Sequence, residues 1–67
     1  MKSYIITFDR EEDGRWIAEI EELPGVMAYG ATKEEAESKV DALALRVIAD
    51  KLERDHSTVN DIRFAVA

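Results

Sequence analysis

Leu23-Pro24-Gly25-Val26-Met27-Ala28-Tyr29-Gly30-Ala31-Thr32-Lys33-Glu34-Glu35-Ala36 holds a strand stop, a short strand and a helix start in succession. Pro24 has no N–H to offer a sheet ladder and Gly25 tolerates left-handed backbone, so the pair ends the strand before it. Val26 to Tyr29 reads as a short strand, and Gly30 turns the chain. Thr32 then opens a capping box: its hydroxyl is placed to accept from the Glu35 N–H, while the Glu35 carboxylate reaches back to the Thr32 N–H. A helix over about residues 33–54 follows. Ala36, Val40, Leu43, Ala44 and Val47 form one apolar face, flanked by Ile48, while Leu45, Ala49 and Leu52 lie on roughly the opposite side.

Upstream, Ser3 to Phe8 alternates as a strand, with Tyr4, Ile6 and Phe8 on one face and Ile5 and Thr7 on the other. The charged run Asp9-Arg10-Glu11-Glu12-Asp13 closes on Gly14, and Trp16 to Ile20 resumes the strand pattern, which makes a β-hairpin. Downstream, Ile62-Arg63-Phe64-Ala65-Val66 alternates once more. The order is β-β-β-α-β, an α+β fold. An antiparallel meander followed by a right-handed strand-helix-strand crossover brings the last strand parallel to the first, so a four-stranded mixed sheet of order 3-2-1-4 is expected, with the helix on one face. The other face has nothing left to cover it.

Composition narrows the function classes. Sixty-seven residues make a single domain over residues 1–67. A hydrophobic content of 46% is that of a folding chain, and the absence of cysteine removes disulfides, thiolate metal sites and Cys nucleophiles. His56 stands alone, so a multi-histidine metal site within one chain is excluded. The formal net charge of −6 speaks against general polyanion binding. No apolar run approaches the roughly 20 residues that span a bilayer, and no secretory leader is recognised; a cytoplasmic location is expected.

The run Glu12-Asp13-Gly14-Arg15-Trp16-Ile17-Ala18-Glu19-Ile20, then Leu23-Pro24-Gly25-Val26, then Gly30-Ala31-Thr32-Lys33-Glu34-Glu35-Ala36, resembles the HicB-type antitoxin family. The likeness spans about residues 3–54, and Ala42 to Asp50 is similar to short, stand-alone members. It implies a partial ribonuclease-H-like β-β-β-α-β unit, in agreement with the order read from periodicity. Val26 stands where many members carry Cys, and Ala31 where they carry Asp. Full antitoxins of this type add a C-terminal DNA-binding domain; the sequence at hand ends at Ala67, and direct DNA binding by these residues is not expected. The resemblance implies, as partner, a small basic HicA-type ribonuclease toxin, held by occlusion of its RNA face.

The candidate residues divide by chemistry. Asp9, Glu11, Glu12 and Asp13 read as a solvated hairpin turn rather than a two-metal site, which needs carboxylates converging from separate elements. His56 has no triad-like surroundings and reads as a surface loop residue. The carboxylates of Glu34, Glu35 and Glu37 complement the positive end of the helix dipole. No catalytic residue, cofactor or metal ligand is assigned, and an enzyme is the last of three readings. The first is the antitoxin. Residues 1–22 hold seven acidic and three basic side chains, so Glu11, Glu12, Glu21 and Glu22 are expected to steer a basic partner, with Trp16 and Tyr29 as anchors. Trp16, with no basic neighbours to support base stacking, reads more readily as a core or interface residue. The second reading is an orphan regulatory or structural oligomer. In either of these, a homo-oligomer, most simply a dimer, is expected through Leu45, Ala49 and Leu52 on the helix and Ile5 and Ile17 on the uncovered sheet face.

Overall fold

A computed structural model describes residues 2–67. The elements are β1 (Lys2–Arg10), β2 (Trp16–Ile20), β3 (Met27–Gly30), α1 (Lys33–Asp55) and β4 (Ile62–Val66). They form one four-stranded sheet of order β3-β2-β1-β4, in which β2 runs antiparallel to β1 and β3, and β4 runs parallel to β1. This is the α+β architecture and strand order expected from the sequence.

Local chemistry explains each boundary. Gly14, at φ +94°, closes the β1–β2 loop with its N–H donating to Glu11 O at 2.9 Å. After β2, the Val26 N–H donates to Leu23 O at 3.0 Å across Pro24 and Gly25, whose φ is +83°. Proline second and a positive-φ glycine third is the arrangement of a type II turn. Two strands differ in extent from expectation, β1 running Lys2–Arg10 and β3 Met27–Gly30. β1 extends to Arg10 because its antiparallel partner Trp16 continues the ladder. β3 is shifted by one residue: Val26 is a buried member of the turn, and Gly30 ends the strand opposite Trp16.

The helix cap also differs in one bond. Thr32 is the N-cap and accepts from the Glu35 N–H at 3.1 Å, but the Glu35 carboxylate accepts from the Ala31 N–H at 2.8 Å, one residue earlier than the capping-box pattern predicts. That hydrogen bond, followed by the charge of Lys39, holds the Glu35 carboxyl below its usual pKa. At the other end His56 takes the left-handed conformation, φ 52°, and its N–H donates to Leu52 O. The residue read as loop is thus the helix C-cap, in a conformation more often given to glycine.

Ala36, Val40, Ala44 and Ile48 bury one stripe of α1 against Tyr4, Ile6, Ala18 and Ile20 of the sheet. The helix lies over β2 and β3 rather than β4. Leu23 and Val26 bring the turn before β3 into the same core, so Leu-Pro-Gly serves packing as well as direction. Of the three residues placed opposite the buried stripe, Leu45 and Ala49 are exposed; Leu52 is half-buried against the core, which corrects its reading as a surface residue. Leu52 lies one turn beyond the buried Ile48 and so continues the series Ala36, Val40, Ala44, Ile48, which drifts around the helix by about 40° at each step of four residues.

Asp41 is the one described side chain with a buried oxygen, Oδ1, that lacks a hydrogen-bond partner among the described residues. Burial, and then the Glu37 carboxylate one turn away, raise its pKa above the ordinary 3.8. A raised folded-state pKa means that the ionised form opposes folding: the penalty is full at neutral pH and disappears as pH falls below the unfolded value. Asp41→Ala should therefore stabilise the domain by about 1 kcal/mol at neutral pH, the scale of an unmet buried polar group. Paired urea titrations of both proteins should show that gain shrinking toward pH 3. A gain independent of pH would mean that helix propensity alone is responsible.

Candidate protein-binding face

Strand pairing sorts the candidate residues into two faces. Register aligns Asp9 with Ile17 and Tyr29, and Thr7 with Glu19 and Met27. These side chains alternate with the core-facing set, so they project from the face opposite α1. Ile5 and Ala65 are paired on that same face. Ile5 is 41% exposed, Met27 41% and Tyr29 39%, three large apolar groups on one surface of a small domain. Asp9, Glu19 and Glu21 stand among them, and with Thr7 and Ile17 they line a shallow depression.

Tyr29 is held at the edge of this face. The Arg15 guanidinium lies 4.5 Å from its ring centroid, and Arg15 Nε donates to Asp13 Oδ2 at 2.8 Å. Both ends of the ion pair are more than half exposed, so it adds little to stability. Its effect is to set Arg15 over Tyr29. The backbone N–H of Arg15, then its side chain, lowers the Asp13 pKa.

Other candidates fall elsewhere. Glu12 is exposed and Glu11 half-buried in the β1–β2 loop. Glu22 Oε1 accepts from the Ile5 N–H at 3.1 Å, continuing the edge of the sheet where β2 has ended. That carboxylate is used inside the chain. Trp16 lies on the helix side, half-buried against the core, and is absent from the open face. Its ring has Arg10 at 5.2 Å and Lys33 at 5.8 Å, and Lys33 also sits 4.8 Å from the Phe8 ring. The sequence reading that Trp16 lacks basic neighbours is corrected here: Arg10 reaches it through strand register and Lys33 through the start of α1. These cations cover apolar ring surface at the end of the core.

Ile5 and Ile17, read as self-association residues, share their surface with Tyr29, read as a partner anchor. Asp9, read from the sequence as part of a solvated turn, and Glu19 complete that surface together with Met27, which the sequence reading did not single out. The signal for Met27 was its alternation with Ala28 in a short strand. Leu52 lines a separate apolar cleft with Tyr4, Leu23, Ile48, Val59 and Ile62. Among the described residues no group of three His, Asp or Glu side chains is placed to hold a metal ion, and no helix is long and apolar enough to cross a membrane.

No family model matches this chain, and neither a curated protein nor a solved structure matches it significantly.

Proposed function

We propose that this chain is a protein-binding module of the HicB antitoxin type, which uses its open sheet face to occlude the RNA-binding surface of a small basic HicA-type ribonuclease toxin in the cytoplasm. It acts by binding and not by catalysis. The observation that carries the reading is the mixture on that face: Ile5, Met27 and Tyr29, exposed together, among Asp9, Glu19 and Glu21. Carboxylates steer a basic partner and set its orientation, whereas desolvated aromatic and aliphatic groups supply affinity. A protein that holds RNA phosphates presents the complementary cations. The resemblance of residues 3–54 to HicB-type antitoxins supports the same partner.

The position of Glu22 decides which charges to test. Reversing Glu22 would also remove the acceptor of the Ile5 N–H, so Glu19 and Glu21 are the cleaner pair. Glu19→Lys/Glu21→Lys should slow association with a HicA-type toxin, and the wild-type rate should fall as salt rises from about 50 to 500 mM. Tyr29→Ala should instead act on dissociation, weakening the complex by about 2 kcal/mol if Tyr29 is an anchor. Surface plasmon resonance with a HicA-type toxin, together with protection of RNA from that toxin, is the direct measurement. Absence of any complex, or association indifferent to both salt and charge reversal, would overturn the proposal.

A further inference from the structure

β4 bonds to β1 through alternate residues only. The Lys2 N–H donates to Asp61 O at 3.0 Å and the Ala67 N–H to Ile6 O at 3.0 Å, bracketing a parallel register of Lys2 with Ile62, Tyr4 with Phe64 and Ile6 with Val66. In a parallel ladder with this phase, the β1 residue bonds to the two neighbours of its opposite number and not to that residue itself. Arg63 and Ala65 therefore turn their peptide groups toward β1. The N–H and C=O groups of Ile62, Phe64 and Val66 point the other way, along the rim where β4 is the last strand. Among the described residues none hydrogen-bonds to them.

This rim has few of the protections of an edge strand. Ile62 to Val66 contains no proline and no lysine, its one charge, Arg63, alternates to the face opposite the helix, and α1 packs over β2 and β3 and leaves the β4 edge uncovered. The side chains of the three outward-bonding residues form an apolar row. Ile62 and Phe64 are half-buried against the core, and Val66 is 48% exposed. The rim is also self-complementary. If two copies meet antiparallel about a two-fold axis at Phe64, Ile62 faces Val66 of the second copy, Phe64 faces Phe64, and Val66 faces Ile62. All three are hydrogen-bonded pairs, so every outward N–H meets an outward C=O. Side chains meet apolar to apolar on the helix side. On the opposite side Arg63 stands across from Ala65 of the second copy, and no like charges are directly opposed.

We propose that β4 is the self-association surface, pairing antiparallel with β4 of a second copy to make one continuous eight-stranded sheet. A closed two-fold contact of this kind buries the same strand from both copies and leaves no β4 edge to propagate. It uses neither Leu45 and Ala49 nor the face bearing Ile5 and Tyr29, so the open face stays free for a different partner in each copy. The inference does not depend on the antitoxin reading.

Amide hydrogen exchange of the isolated full chain, read by NMR beside sedimentation, tests it. At about 1 mM a dimer is expected, with the amides of Ile62, Phe64 and Val66 slowed roughly tenfold or more, and that protection is lost on dilution. In a monomer these three amides exchange freely between the protected Arg63 and Ala65. Val66→Pro removes an N–H that no bond inside the chain uses and puts a ring in the path of the second strand; it should yield a monomer with unchanged helical circular dichroism. Should that variant fail to fold, Val66→Lys at the same exposed position serves instead. Leu45→Glu should remain dimeric. A monomer at all concentrations would overturn the proposal, as would an oligomer whose three amides stay fast, or one dispersed by Leu45→Glu and not by the Val66 variants.

Discussion

Ile20→Ala should leave the protein barely folded at room temperature. Ile20 is fully buried at the end of β2, opposite the buried Ile6 and within the cluster of Val26, Val40 and Ala44. Truncating a buried isoleucine costs about 2–5 kcal/mol, because the removed methyl groups lose their burial and the surroundings close over the cavity only in part. At about 0.05–0.15 kcal/mol per residue, a chain of this length has roughly 3–10 kcal/mol in all. At the middle of both ranges the substitution consumes about half of the total. Ile20 also holds the following turn, its N–H donating to Val26 O at 3.1 Å and its C=O accepting from Leu23 N–H at 3.1 Å, so loosening its position frees the Leu-Pro-Gly segment as well. Thermal unfolding at one fixed protein concentration should show a midpoint lowered by about 10 °C or more. A loss below about 1 kcal/mol would mean that this residue is outside the core.

Gly30→Ala should be nearly as damaging, for a reason that has nothing to do with backbone freedom. A Cβ on Gly30 would sit 2.5 Å from the Ala36 N and 2.9 Å from both Thr32 O and Glu35 Cβ. Two of these are backbone atoms of the first helical turn, which cannot swing aside as a flexible side chain can. The start of α1 must then lift from the end of β3, straining the Thr32–Glu35 and Ala31–Glu35 bonds and withdrawing Ala36 from the core. Overpacking of this kind costs about 1–3 kcal/mol. Gly14→Ala is the control. Its Cβ meets nothing within 4 Å, so only the positive φ of +94° opposes the change, and a cost near 1 kcal/mol is expected. Denaturant unfolding of the two variants should separate them, with Gly30→Ala the weaker protein. Equal losses would show that closeness of strand and helix is unimportant there.

The two substitutions mark the boundary between what was readable in the chain and what was not. Gly30 was legible as a punctuation point, since it precedes a capping threonine, but its clearance against Ala36 depends on how closely α1 returns over β3. Ile20 was legible as a strand residue, yet its complete burial required the turn through Leu23 and Val26 to fold beneath the helix. Site residues were less legible still. Tyr29 and Glu21 were named from composition and position, while Met27 and Glu19 came to the same surface only through the pairing of β2 with β3. Trp16 went to the other side of the sheet, where Arg10 and Lys33 cover it.

By itself the sequence determined the element order, the turn positions, the helix start and the strand order, because each rests on interactions between residues a few positions apart and on the handedness of a crossover. Tertiary structure alone decided that Met27 and Tyr29 join Ile5 and Ile17 on one face, that Glu22 serves the Ile5 N–H, that Leu52 packs against the core, and which peptide groups of β4 point outward. Those outcomes follow from register. A shift of one residue between two strands reverses every side chain and every hydrogen-bonding group along them, and pairings across 17 or more positions, such as Glu22 with Ile5, leave no periodic trace in the chain.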